Sequence, residues 1–126
     1  TAGSGSFSCN PLYVSATNLR ITANSPARYA SDAGADIGAL PYAADATPGL
    51  YGTLWTDTTL TSAGGTHAIA GDLTVPPGVT LTVEPGAVLE FASTDVMACG
   101  RDATRAELTV AGSLHASGTA TSPAIF

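Results

Sequence analysis

The chain contains no lysine and only four arginines, against ten aspartates and glutamates, so its formal net charge is −6. A nucleic-acid-binding surface needs basic residues that displace counterions from the phosphates, and this sequence does not supply them. An anionic membrane surface is disfavoured for the same reason. No apolar run approaches the roughly 20 residues that span a bilayer. We therefore expect neither a nucleic-acid partner nor membrane insertion.

The sequence has only two cysteines, and it has no apolar segment at its N-terminus. Cys9 and Cys99 are the two cysteines, and they are too widely separated to form a zinc motif. Two alternatives remain open for them, a disulfide in an oxidising compartment or two small buried thiols. The polar start, TAGSGSFS, does not have the pattern of a signal peptide. We expect residues 1–8 to be a disordered leader and the chain to be a piece excised from a longer protein.

Glycine and proline are abundant, with fourteen and eight residues, and they are most informative between Gly71 and Phe91. This stretch, GDLTVPPGVTLTVEPGAVLEF, contains three short apolar strands separated by Pro-Gly corners at 76–78 and 84–86. Two-residue hairpin turns favour Asn-Gly or Asp-Gly instead. A chain that turns the same way between short strands winds into a solenoid. No segment has a convincing helical pattern, so we predict an all-β fold.

The strand pattern occurs twice, so we predict about two coils, with a long polar loop at 92–106 inserted between them. Alternation along a strand sends successive side chains to opposite faces. The residues predicted to point into the coils are apolar: Leu73, Val75, Leu81, Val83, Phe91, Leu108, Val110 and Leu114. The residues predicted to point outward are polar: Thr74, Thr80, Thr82, Glu90, Thr109 and His115.

These motifs resemble a known family. Residues 71–126, with GDLTVPPGVTLTVEPGAVLEF and LTVAGSLHASGTATSPAIF, resemble the right-handed parallel β-helix of secreted bacterial proteins of the pectate-lyase-like type. Residues 9–42 resemble the segment that closes such a β-helix, through NPLYV, SPA and DIGA. The pattern departs from the family at Arg28-Tyr29, where Ile-Asp is usual.

The resemblance implies a domain organisation. Residues 9–42 would close a preceding β-helix, residues 43–49 would be a linker, and residues 50–126 would be the opening cap and first coils of a second, truncated β-helix. It also implies a large secreted or cell-surface parent protein. The partner would then be the remainder of the parent chain, since two coils leave apolar surface and strand edges open.

Catalysis has little support in the sequence. No G-x-S-x-G nucleophile motif occurs, His67 lies in a Gly-rich stretch that predicts a turn, and His115 is predicted to face out of a strand. The corner at Pro85-Gly86 separates Glu84 from Glu90, which weighs against a glycosidase pair. A polysaccharide lyase would need a Lys or Arg base near an acidic calcium site, and lysine is absent. The inserted loop, with Arg101 and Arg105 beside Asp95 and Asp102, is the one place where the sequence leaves room for such chemistry. We predict no catalytic residues.

Calcium binding has more support in the sequence than catalysis, because calcium takes carboxylate and carbonyl oxygens from flexible loops. The inserted loop offers Asp95 and Asp102, followed by Glu107, and a second cluster spans Asp32 to Asp36. Each cluster also has a structural alternative: an Asp–Arg salt bridge that orders the loop, and a turn in which Asp36 caps its own backbone.

The aromatic cluster Tyr51 and Trp55 precedes the first predicted coil. It either covers the open end of the apolar column or stacks on sugars. We therefore expect a non-catalytic structural or adhesion module. The alternatives are a carbohydrate-binding or polysaccharide-lyase-like module whose partners are surface glycans, and a calcium-stabilised adhesin segment.

Overall fold

A computed structural model describes residues 8–126, and within that range the protein is built from short β-strands. The predicted leader at 1–8 therefore lies, except for Ser8, outside the described residues. The helical content of residues 8–126 is a single 3₁₀ turn, Ser62–Gly64. The eight strands are β1 (Gly52–Thr53), β2 (Thr58–Leu60), β3 (Thr66–Ile69), β4 (Leu73–Val75), β5 (Thr80–Val83), β6 (Val88–Phe91), β7 (Leu108–Val110) and β8 (Ser113–Ala116).

The strands form three parallel sheets that the chain visits in rotation. Strands β1, β4 and β7 form the first sheet, β2, β5 and β8 the second, and β3 and β6 the third. Every pairing between these strands is parallel. A parallel bridge between Val88 and Ile125 extends the third sheet. We call each round of the three sheets a pass. The all-β prediction is confirmed, and strands that follow one another in sequence lie in different sheets.

The structure has three passes, at 52–69, 73–91 and 108–126, so the prediction of about two coils was wrong. The first pass lies where only an opening cap was predicted. Its strands β1 and β2 are two and three residues long and consist of Gly, Thr and Leu. No Pro-Gly corner separates them. These strands gain their backbone hydrogen bonds from the second pass, and local sequence carries little sign of such long-range pairing.

The two Pro-Gly corners of the second pass are β-turns. The Val79 N–H donates to the Pro76 carbonyl at 3.2 Å, and the Ala87 N–H donates to the Glu84 carbonyl at 3.1 Å. Gly78 and Gly86 have φ of +83° and +81° at the third position of these turns. A type II turn requires such a φ there, and proline presets the φ of the position before it. The corners therefore turn the chain from one sheet into the next.

The core is a column of aliphatic side chains enclosed by the three sheets. In the second pass, Leu73, Val75, Leu81 and Val83 have no exposed surface, as the alternation predicted. Leu89 is 2% exposed, whereas Phe91 is only partly buried against the core. The remaining core members come mainly from the first pass and the second corner: Leu54, Leu60, Ile69 and Ala87.

Three residues of the third pass are less buried than predicted. Leu108, Val110 and Leu114 pair in register with Leu73, Val75 and Leu81 respectively. Leu108 is half-buried, but Val110 and Leu114 are each 38% exposed. They lie over the column on one side only, because no strand among residues 8–126 pairs with the outer edges of β7 and β8.

The segment at 9–49 packs on the first pass. The strands predicted near 12–14 and 18–22 occur only as isolated bridges, Tyr13 to Ile21 and Arg20 to Leu40. The Thr53 N–H donates to the Asn24 carbonyl at 2.7 Å. Gly52 has φ of +83°, and a side chain there would collide with the Asn24 carbonyl oxygen. Residues 9–49 therefore cover the free edge of β1, and we call them the covering segment.

The stretch predicted to be a linker, 43–49, is held by the residues before it. The Ala23 N–H donates to the Asp45 carbonyl at 2.8 Å, and Arg20 Nε lies 3.2 Å from Asp45 Oδ2. The Asn24 N–H donates to Thr47 Oγ1 at 2.8 Å. These contacts make 43–49 part of the segment that covers the first pass.

Candidate functional site

The inserted loop at 92–106 is organised by carboxylates that accept backbone hydrogen bonds. Asp95 Oδ1 accepts the N–H groups of Asp72 at 2.9 Å and of Met97 at 2.8 Å. Asp95 Oδ2 accepts the Cys99 N–H at 3.0 Å. A single carboxylate thus binds three backbone N–H groups, and its bond to Met97, two residues ahead, has the pattern of an Asx turn.

Glu107 and Asp102 organise the second half of this region in the same way. Glu107 Oε2 accepts the Arg101 N–H at 2.7 Å. Asp102 Oδ1 accepts both the N–H and the hydroxyl of Thr104, at 3.0 and 2.5 Å. These hydrogen bonds, together with the Arg105 guanidinium 3.6 Å away, lower the pKa of Asp102. The predicted Asp–Arg ion pair is therefore present, but backbone donors supply most of the contacts.

Asp72 joins the loop to the stack and was not among the predicted site residues. It is 6% exposed, and its Oδ1 accepts the Glu107 N–H at 2.8 Å. Burial raises the pKa of the Asp72 carboxyl above its ordinary value, against the lowering effect of the Glu107 hydrogen bond. The negative charges of Asp95, Glu107 and Asp102 raise it further. The only hint in the sequence is its place directly before β4, which does not distinguish a buried carboxylate from an exposed one.

These contacts bear on the calcium hypothesis. Within residues 8–126 no group of three or more His, Cys, Asp or Glu side chains is arranged to hold a metal ion. Asp95 accepts a hydrogen bond from the backbone N–H of Asp72, and the Asp72 side chain accepts one from the N–H of Glu107. The Glu107 carboxylate in turn accepts the Arg101 N–H, so the partners in all three contacts are backbone N–H groups. Calcium binding by Asp95, Asp102 and Glu107 stays a prediction.

The two aspartates of the second acidic cluster have different surroundings. Asp36 Oδ1 accepts the Tyr29 N–H at 3.1 Å, and its Oδ2 accepts the Tyr42 N–H at 2.9 Å. Asp36 therefore joins two stretches of the covering segment, around Tyr29 and Tyr42, while Asp32 is exposed. The alternative to calcium was a turn in which Asp36 caps its own backbone. Asp36 does accept backbone N–H groups, but they belong to residues seven and six positions away and not to its own turn.

Cys9 and Cys99 form a disulfide with a Cα–Cα distance of 5.0 Å. It links the start of the covering segment to the inserted loop. Asn10, the next residue, strengthens this link, since its N–H donates to the Met97 carbonyl and its Nδ2 to the Val96 carbonyl, at 2.8 and 2.9 Å. The sequence left open a disulfide or two buried thiols, and the structure has the disulfide.

Trp55 and Tyr51 have different surroundings. Trp55 Nε1 donates to the Ser25 carbonyl at 2.9 Å, and the ring contacts the edge of Tyr29 with centroids 5.2 Å apart. Arg28 lies over the Tyr42 ring at 3.9 Å and donates to the Tyr29 hydroxyl at 2.9 Å. The Arg28-Tyr29 pair, where the sequence departs from the family pattern, therefore supports the contact with Trp55.

Tyr51, which directly precedes β1, instead lines a cleft between the covering segment and the inserted loop. The cleft has a volume of about 320 Å³, and its walls include Leu12, Tyr13, Thr22 and Val96. Its lining residues carry no charge. Tyr13 escaped the sequence analysis because it is far from Tyr51 in the chain.

Neither histidine has a catalytic partner among the described contacts. His67 lies on β3 and not in a turn as predicted, and its Nε2 is 2.8 Å from the Thr61 carbonyl oxygen. The stretch looked like a turn because of Gly64 and Gly65, which in fact belong to the corner before β3. His115 is exposed on β8, as predicted.

No protein-family model, curated protein or solved structure matches this chain. No helix within residues 8–126 is long and apolar enough to cross a membrane. The resemblance to the parallel β-helix family therefore rests on the motifs quoted above and on the parallel pairing of the strands.

Proposed function

We propose that this chain is a non-catalytic structural module of a secreted or cell-surface protein, and that its three sheets are the walls of a right-handed parallel β-helix. The single observation that carries the proposal is the rotation of the strands through three parallel sheets, with like residues stacked in register. Leu73 above Leu108 and Leu81 above Leu114 are examples. Stacked repeats of this kind gain stability from nearest-neighbour interfaces and hold an extended shape.

The extracellular location is supported by the disulfide, since such bonds persist mainly in oxidising compartments. The absence of lysine and the net charge of −6 disfavour contact with nucleic acid. The calcium-stabilised and lyase-like alternatives gain no supporting contact, because the carboxylates of the inserted loop bind backbone N–H groups.

The partner in this proposal is further β-structure that adds a fourth pass. The covering segment occupies the β1 edge, but the edges of β7 and β8 have no partner strand among residues 8–126. Beside these edges, Val110 and Leu114 are each 38% exposed. A strand that continued the established register would bury these side chains and satisfy the edge. The remainder of a parent chain would supply it.

An extended chain tests this proposal. A copy of residues 90–91 is added after Phe126 to complete the third strand of the third pass. A copy of residues 70–91 follows it, so that a second copy of the second pass continues the stack. A matched control carries the same extension with serine in place of each strand valine and leucine. We expect the first extension to raise the melting temperature and to slow amide exchange in β7 and β8, and the serine control to do neither. Equal melting temperatures for the two would contradict the stacking proposal.

A further inference from the structure

The cleft beside Tyr51 has no part in the structural role proposed above. Three separate parts of the chain meet there: residues 10–22 supply Leu12 and Tyr13, residues 46–51 supply Tyr51, and the inserted loop supplies Val96. From its geometry we infer that this cleft binds one uncharged sugar ring. The inference is independent of whether the stack continues beyond the third pass.

The size of the cleft limits its ligand. A volume of about 320 Å³ is at the lower end of the range for small-molecule sites, which run from about 300 to 1,000 Å³. A single pyranose ring with its substituents fits such a volume. Longer glycans would therefore place one terminal or branching residue in the cleft and leave the others in solvent.

The lining selects the chemistry of the ligand. Leu12 and Val96 offer apolar surface, while Tyr13 and Tyr51 each combine an apolar ring with a hydroxyl. Thr22 also lies at the wall, but its hydroxyl already accepts a hydrogen bond from the Thr47 hydroxyl at 2.8 Å, so the two tyrosines supply the hydroxyls for a ligand. A pyranose has a C–H face that packs on an aromatic ring and a rim of hydroxyls that need hydrogen-bond partners. A fully apolar ligand would contact the rings but make no use of the tyrosine hydroxyls.

Charge excludes the acidic sugars. None of the lining residues is basic, so a uronate carboxylate would have no counter-charge in the cleft. The net charge of −6 repels anions from the whole molecule as well. The ligand class is therefore a neutral glycoside.

The cleft is also held in shape. The Tyr51 ring packs on Gly49, where a Cβ would lie 2.5 Å from Cε1 of the ring. Asn10 fixes the loop wall, because its side chain donates to the Val96 carbonyl and accepts the Leu12 N–H at 3.0 Å. The neighbouring disulfide adds a covalent link between the same two walls. A preorganised cleft loses less entropy when a ligand binds.

The probes are methyl β-glucopyranoside and methyl β-galactopyranoside, with galacturonate as the anionic comparison, followed by amide NMR chemical shifts. For a ligand of this size we expect a Kd on the order of a few millimolar for at least one neutral glycoside. The shift changes should be confined to residues around the cleft. Galacturonate should bind at least about tenfold more weakly, a difference of about 1.4 kcal/mol.

Variants separate the cleft from the rest of the surface. Ala46→Trp fills the cleft and should abolish binding. Tyr51→Ala should weaken it about tenfold, the loss expected for one aromatic contact, whereas Tyr51→Phe keeps the ring and should weaken it less. Tyr29→Ala, outside the cleft, is the matched control and should bind like the parent. The amide spectrum of each free variant verifies that it is folded.

Four results would each overturn the inference. These are no shift changes at 50-fold excess over the expected Kd, changes centred away from Tyr51, unaltered binding by Ala46→Trp, or galacturonate binding as tight as the neutral glycosides. None of these results bears on the extension experiment, so the failure of one proposal leaves the other standing.

Discussion

Replacing Leu81 or Leu114 by alanine measures how completely the apolar column is enclosed. The two leucines are paired in register on β5 and β8, so they differ mainly in burial. Leu81 has no exposed surface, whereas Leu114 is 38% exposed. The same substitution at both positions therefore compares the middle of the column with its open side.

The expected magnitudes follow from these exposures. Removing three carbon atoms from a buried site costs about 2.4 kcal/mol at about 0.8 kcal/mol per CH₂. The cavity left at Leu81 raises the cost to about 3–4 kcal/mol. Leu114 loses only about 60% of the transfer energy and encloses no cavity, so its cost is about 1.5 kcal/mol. Leu81→Ala should thus destabilise the protein by about 2 kcal/mol more than Leu114→Ala.

Urea unfolding provides the assay. The chain has one tryptophan, Trp55, whose fluorescence reports the first pass, and far-UV circular dichroism reports all the strands. Coincident transitions by the two probes would justify a two-state treatment. Equal free-energy losses for the two variants would refute the reasoning, because they would mean that Leu114 is as enclosed as Leu81. In the extended chain proposed above, the cost of Leu114→Ala should rise towards that of Leu81→Ala.

Two further predictions concern the inserted loop. Replacing Cys9 and Cys99 together by serine should lower the unfolding free energy by about 2–5 kcal/mol, because the disulfide closes a long loop; dithiothreitol should produce the same loss in the parent chain and none in the double variant. Asp72 has a raised pKa in the folded state, so its contribution to stability is fully present below its ordinary value of 3.8 and is lost as the pH rises through the raised value. Asp72→Asn should remove this dependence, and urea unfolding from pH 3 to 7 should show the variant gaining stability relative to the parent as the pH rises; a constant difference would contradict the assigned burial effect.

The second pass was predictable because its signals are local. The corners at 76–78 and 84–86 carry proline and glycine where the turns require them, and β4 and β5 each alternate as a strand with one buried face should. The third pass was located by the likeness of its strands to those of the second. Its partial exposure was not foreseen, because burial depends on what pairs with the outer edge of the strand and not on the strand itself.

The first pass and the loop contacts could not be predicted, because their signals are not local. Strand β1 is only two residues long, and its pairing partner is β4. Asp72 is buried, and its side chain accepts a hydrogen bond from the N–H of Glu107, 35 residues away. The cleft around Tyr51 likewise forms only when three distant segments meet. Of the candidate residues, the sequence located the carboxylates of the loop and left open whether they bind calcium or order the loop through an Asp–Arg ion pair. It did not indicate the backbone N–H groups that Asp95 and Glu107 contact.

The two sides of the stack differ in how their strand edges are protected, and this difference supports the structural role. On the β1 side, the covering segment supplies a backbone acceptor, Asn24, to the free N–H of Thr53. On the other side, β7 and β8 contain no proline and no lysine, the residues that usually guard an exposed edge. Their outward residues include Thr109 and His115, which do little to oppose pairing. An edge without such protection is more consistent with a surface that is covered in use than with one that remains exposed to solvent.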